Sequence, residues 1–142
     1  MLSNKFIFLK LTKQFDISII IATAKNFRGN NMAKARIINI VATECIPGNE
    51  AKFNKWYNEV HIPMLMKFKG IKKVTRYKIL EDSKEKGKYI AIYEYDSKED
   101  MAALNASPEF KAAIEEMNET WKGQMFDLKW AMGCEPIKTW GK

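Results

Sequence analysis

Residues 36–43 are rich in Ile and Val, with Asn39 the one polar interruption at the centre, and this pattern predicts a strand. Pro47-Gly48-Asn49 then punctuates the chain. From Glu50 the period changes: Phe53, Trp56, Tyr57 and Val60 recur at i, i+3, i+4 and i+7, the spacing of one helix face. Pro63 is expected to kink or interrupt that helix, with a further turn over residues 64–68 that Gly70 stops. Residues 71–80 and 89–95 read as strands joined by the charged, glycine-containing segment 81–88, which suits an exposed hairpin. Ser97 with Asp100 opens a short helix through Leu104. Ser107-Pro108-Glu109 restarts helix, with Phe110, Ile114, Met117 and Trp121 as its buried stripe. The last strand, 126–134, sets Phe126, Leu128, Trp130 and Met132 against Asp127, Lys129, Ala131 and Gly133.

The order strand, helix, strand, strand, helix, strand predicts an α+β fold, a ferredoxin-like βαββαβ sandwich with a four-stranded antiparallel sheet. Helices cover one sheet face. The other would carry large apolar groups, Trp130 or Tyr93 depending on register, so the expected cover is a second copy packed sheet to sheet in a homodimer. The first and last strands are antiparallel neighbours in this topology, which puts Cys45 and Cys134 at opposite ends and out of disulfide reach.

Charge changes this picture little. Of the net +7, residues 1–33 supply +4 through Lys5, Lys10, Lys13, Lys25 and Arg28 against Asp16. The remaining 19 basic and 16 acidic side chains are interspersed, with a modest basic concentration from Lys72 to Lys88, so a solvated strand and hairpin is expected and no nucleic acid partner. Two isolated cysteines without a Cys-x-x-Cys, and one histidine, argue against a zinc site and fit a reducing cytoplasm.

Residues 1–33 differ from the rest. Their apolar bursts are interrupted by Lys10, Lys13 and Asp16, too short to span a bilayer and a poor signal peptide, so no membrane association is expected. Arg28-Gly29-Asn30-Asn31 can be encoded by a purine-rich stretch resembling a bacterial ribosome-binding sequence, and Met32 would be a normal start before a first strand. The expectation is a non-native or poorly ordered extension over 1–33 and a ferredoxin-like domain over 34–142.

Candidate chemistry centres on His61, the only histidine, at the helix bend made by Pro63. It is read either as a general acid or base or as a structural ring bonding carbonyls freed near the proline. Arg76 suits a substrate carboxylate or enolate, Tyr77 and Tyr93 could donate phenolic hydrogen bonds, and Asn39 must find partners or line a wet pocket. Arg76 and Tyr77 fall on opposite strand faces. Trp56 and Tyr57 belong to the helix stripe and are read as core.

Trp56-Tyr57-x-Glu59-x-His61-Ile62-Pro63, then Gly70-Ile71, Arg76-Tyr77 and Ser107-Pro108-Glu109-Phe110, resemble the dimeric α+β barrel superfamily, particularly its EthD-like branch. The resemblance covers residues 35–138. It implies a dimer with a largely apolar pocket between sheet and helices, and His61 as pocket acid or base. Its reach extends to small cyclases, isomerases and monooxygenases; heme-degrading relatives ligate iron through a histidine elsewhere in the fold, and since His61 is the only histidine, heme ligation in that manner is not expected. The expectation is a cytoplasmic binder of a small apolar or aromatic molecule, without cofactor, using Asn39, Arg76, Tyr77, Tyr93 and Trp130 for contact. His61 would act in isomerase, cyclase or lyase chemistry. A non-catalytic binding or assembly protein and a cofactorless monooxygenase are the alternatives.

Overall fold

A computed structural model describes residues 34–82, 84–122 and 126–142. The expectations for residues 1–33 lie outside these residues. Four strands, β1 (Ile37–Cys45), β2 (Ile71–Lys78), β3 (Tyr89–Tyr95) and β4 (Phe126–Cys134), form one antiparallel sheet in the order β2-β3-β1-β4. That is the expected ferredoxin-like arrangement, with the first and third strands central. Among helices of the described residues are α1 (Glu50–Trp56), α2 (Ile62–Leu65), α3 (Lys98–Ala103) and α4 (Pro108–Trp121). Ser97 and Ser107 accept hydrogen bonds from the backbone N–H groups of Asp100 and Phe110, so both expected N-caps are formed.

β3 shows how alternation builds the layers. Tyr89, Ala91, Tyr93 and Tyr95 are buried, while Ile90, Ile92 and Glu94 between them are half-buried on the outer face. The core lies between the first set and Phe53, Trp56, Tyr57, Leu65, Ile114, Met117 and Trp121 of the helical layer. Phe53 is fully buried, its ring 5.3 Å from that of Phe126, 5.4 Å from Tyr57 and 5.8 Å from Tyr89. It ties α1 to β3 and β4.

Besides a bulge in β2 at Lys72, where Ile71 pairs with Tyr95 and Lys73 with Glu94, two elements depart from simple periodicity. The uniform alternation expected along β4 is broken by a bulge: Ala42 pairs with Trp130, but the next residue, Thr43, pairs with Leu128. Lys129 is the extra residue. Phe126 and Leu128 therefore face the helices, whereas Trp130 and Met132 face outward. Gly87, at φ 83°, sits against this bulge, where a Cβ would come within 2.9 Å of the Thr43 carbonyl oxygen, and Lys88 N–H donates to that oxygen.

The second departure is a π-helical turn over Tyr57–His61 between α1 and α2. Pro63 neither interrupts the helical run nor leaves it α-helical. A proline in the interior has no N–H, and its ring crowds the carbonyl of residue i−4, here Glu59. The turn widens instead, and the Ile62 N–H donates to the Tyr57 carbonyl, five residues back. Gly70 also plays a different part from a left-handed helix stop. Its φ is not positive, and the space of its missing Cβ is taken by the Phe68 ring.

Cys45 and Cys134 are free and stand at opposite ends of the β1–β4 ladder, as expected. No helix of the described residues is long and apolar enough to cross a membrane.

Candidate functional site

The widened turn decides where the histidine goes. In an uninterrupted α-helix, position 61 would stand about 140° around the axis from position 56. In the π turn residue i+5 returns over residue i, and the His61 ring stacks on Trp56 with centroids 4.8 Å apart and planes at 28°. The buried face is thus Phe53, Trp56, Tyr57 and His61, with Val60, the expected fourth member, only half-buried. Trp56 is itself fixed by its indole N–H, which donates to the Glu116 carboxylate of α4 at 2.9 and 3.1 Å.

Tyr57 joins the remaining polar groups. Its ring is edge-on to His61 at 5.1 Å, its hydroxyl lies 3.1 Å from the Tyr93 hydroxyl, and the Arg76 guanidinium sits 4.3 Å from its ring centroid. Asn39 lies directly opposite Tyr93 in the sheet and faces the same way. On its other flank Asn39 pairs with Gly133, and Met101 of α3 occupies the place a side chain there would need. His61, Asn39, Arg76 and Tyr93 therefore all lie in the layer between sheet and helices. Tyr77 and Trp130 do not. Tyr77 pairs with Ile90 and Trp130 with Ala42, both on the outer face, and the Trp130 indole N–H donates to the Lys86 carbonyl of the β2–β3 loop.

The polar atoms of this layer are incompletely satisfied. Asn39 Oδ1, His61 Nδ1 and Tyr95 Oη are buried without a hydrogen-bond partner, which in an interior costs about 1–3 kcal/mol per group. His61 Nδ1 bonds no carbonyl freed by Pro63. Burial, with a smaller effect from the Arg76 charge, lowers the His61 pKa from 6.5 to about 4. Burial also raises the phenol pKa values of Tyr57, Tyr93 and Tyr95, so all three stay protonated donors at neutral pH. The layer thus holds a neutral imidazole, phenolic O–H donors, an amide and one cation. That set can accept a proton at one atom and stabilise an oxyanion beside it. Among the described residues no three His, Cys, Asp or Glu side chains are grouped as metal ligands.

Tyr57, Tyr95 and the two amides that grip Arg76, Asn54 and Asn58, escaped the sequence reading as site residues. Tyr57 reads as one more aromatic in an apolar stripe. The amides carried a usable signal: they stand at i, i+4 on the helix, flanking Phe53 and Tyr57.

Residues 36–132 match a family model described as a domain of unknown function, DUF4286. No curated protein matches the chain. Among solved structures, the chain is similar to an EthD (ethyl tert-butyl ether D) family protein from Bacillus halodurans, with 18% identity, TM-score 0.54 and coverage of 71% of this chain and 99% of that one. HapK from Hahella chejuensis superposes with TM-score 0.58 at 8% identity, covering 75% and 97%. A point mutant of SnoaB, a cofactor-independent oxygenase from Streptomyces nogalater, gives TM-score 0.51 at 14% identity, covering 76% and 100%. These likenesses establish the fold, and the EthD-like resemblance read from the sequence is borne out at that level.

Proposed function

Since the chain belongs to the DUF4286 family, whose description assigns no activity, we propose a function from the interior polar cluster: binding of a small, largely apolar or aromatic molecule between sheet and helices, with cofactor-independent proton transfer by His61. The observation that carries this reading is the buried, unpartnered His61 Nδ1 on a ring edge-on to Tyr57, which itself meets the Tyr93 hydroxyl and the Arg76 guanidinium. A pKa of about 4 keeps the ring unprotonated at pH 7 and also makes it a weak base while the site is empty. Deprotonating a carbon acid or enol beside it places negative charge in the same layer and raises the basicity of the imidazole where it is needed. Arg76, Asn39 and the Tyr57–Tyr93 hydroxyl pair then hold the oxyanion. Reprotonation at another atom gives isomerisation, and attack of the enolate on an internal carbonyl gives cyclisation.

The substitution His61→Gln tests the assignment, using ligand recovered from the native protein. Catalysis predicts retained affinity with turnover reduced to background. Unchanged turnover would refute the base, and unchanged binding with lost stability would make the ring architectural, the non-catalytic reading that its stack on Trp56 favours. A cofactorless oxygenase is a further reading, suggested by the description of SnoaB; it predicts oxygen uptake on adding an electron-rich phenolic substrate.

The outer sheet face supports a homodimer. Tyr77 and Met132 are 51% and 49% exposed there, alongside half-buried Ile40, Ile90, Ile92 and Trp130. Sedimentation at micromolar concentration is expected to show a dimer for the wild type and a monomer for Met132→Lys; a monomeric wild type would overturn this pairing.

A further inference from the structure

Resting on the ligand-binding reading above, we infer that Arg76 seats one planar anionic group of the ligand, a carboxylate or enolate, and that Asn54 and Asn58 are positioning residues that hold the guanidinium without neutralising it. Arg76 is half-buried on the helix-facing side of β2, with its guanidinium near the rings of Tyr57, Tyr89 and Phe53 at 4.3, 5.4 and 5.6 Å. Among the described residues no carboxylate stands within ion-pair distance of it. The cations on the outer side of the same sheet differ. Arg36 pairs with Glu94 and Asp96, Lys72 with Asp96, and Lys73 with Glu94. A charge partly removed from water is ordinarily matched by an opposite one.

Arg76 meets two neutral amides instead. Its Nη1 donates to Asn58 Oδ1 at 2.7 Å and its Nη2 to Asn54 Oδ1 at 2.8 Å. One acceptor on each terminal nitrogen fixes the guanidinium plane over Tyr57 and leaves further N–H groups for a ligand. Aspartate at either helix position would have the same shape and would close an internal ion pair. With asparagine at both, the charge stays uncompensated until a ligand brings the counter-charge. Flat aromatic walls and a fixed fork select a planar anion over a neutral isostere.

The test uses the full-length chain with benzoate and its neutral isostere benzamide as probes, titrated calorimetrically. Wild type is expected to bind benzoate at least about tenfold more tightly than benzamide, the scale of one charge-assisted hydrogen bond. Asn54→Asp should weaken benzoate by about tenfold or more and erase the preference, without lowering the Tm. Asn58→Asp, on the exposed flank, should act in the same direction and serves if the first variant does not fold. A second readout is the titration of the sole histidine by NMR: an added carboxylate offsets the Arg76 field, so its midpoint rises in either variant. Equal affinity for both probes, no binding of benzoate, or preference retained in both variants would overturn the subsite. Failure of the general-base assignment, seen as turnover retained in His61→Gln, leaves the benzoate result standing, so the two readings fall separately.

Discussion

Acidification from pH 7 to pH 4 is expected to cost the wild-type fold about 3 kcal/mol that His61→Gln does not lose. The imidazole has a pKa of about 4 in the folded protein and its ordinary value of 6.5 when unfolded. Between those values the unfolded chain binds a proton that the folded chain refuses, so stability is complete above about pH 6.5 and falls as the pH drops towards 4. The chief cause is burial against Trp56 and Tyr57, with the positive charge of Arg76 adding to it. Carboxylate titration acts on both proteins alike, so the difference between them isolates the ring. Urea denaturation of both at the two pH values measures it. Since the chain has one histidine, its imidazole resonance should also titrate alone. A midpoint near 6.5, or equal acid losses in the two proteins, would show that the ring is hydrated and would remove the physical basis for a poised neutral base.

Phe53→Ala is expected to destabilise the fold by about 3–5 kcal/mol. Its ring is fully buried and meets Trp56, Tyr57, Tyr89 and Phe126, so the deletion opens a cavity shared by α1, β3 and β4. Set against a typical total of about 5–15 kcal/mol, that is a large fraction of the whole. Phe53→Leu keeps most of the volume and should recover much of the loss. The same ring lies 5.6 Å from the Arg76 guanidinium, so the alanine variant should bind benzoate less tightly as well as fold less stably. Denaturant midpoints read the first effect and titration reads the second. A loss under about 1 kcal/mol would mean that the neighbouring rings close the cavity.

Strand positions, both serine caps and the layer order were legible because each rests on a local pattern that a single residue type announces. Ser97 and Ser107 are capping residues at the start of apolar-periodic segments, and β3 alternates without fault. Asn39 stood out for a similar reason: an amide inside an Ile-rich strand is conspicuous, and its Oδ1 is buried without a partner. Arg76 and Tyr77 were correctly separated by strand alternation, but which of them faced inward depended on register, set only when Arg76 paired with Ala91. What escaped the reading lies where one residue is added to a regular element. The bulge at Lys129 turns Trp130 and Met132 to the outside, and the π turn exchanges Val60 for His61 on the buried face. Periodicity assumes a constant step per residue, and neither insertion leaves a compositional mark apart from the proline that provokes the second.

The π turn has an evolutionary corollary. Its extra residue works as a phase shift, so the bearing of the imidazole is set by how many residues separate it from Trp56 as well as by their identity. Loss of one codon between positions 57 and 60 would restore a 3.6-residue step and leave the imidazole four residues from Trp56, about 40° around the axis, so the ring would keep its bearing while the widened turn is lost. A chain one residue shorter in this interval therefore presents the same imidazole over Trp56 on an ordinary α turn, and in alignments of such chains a gap here marks loss of the π turn rather than loss of the histidine's position.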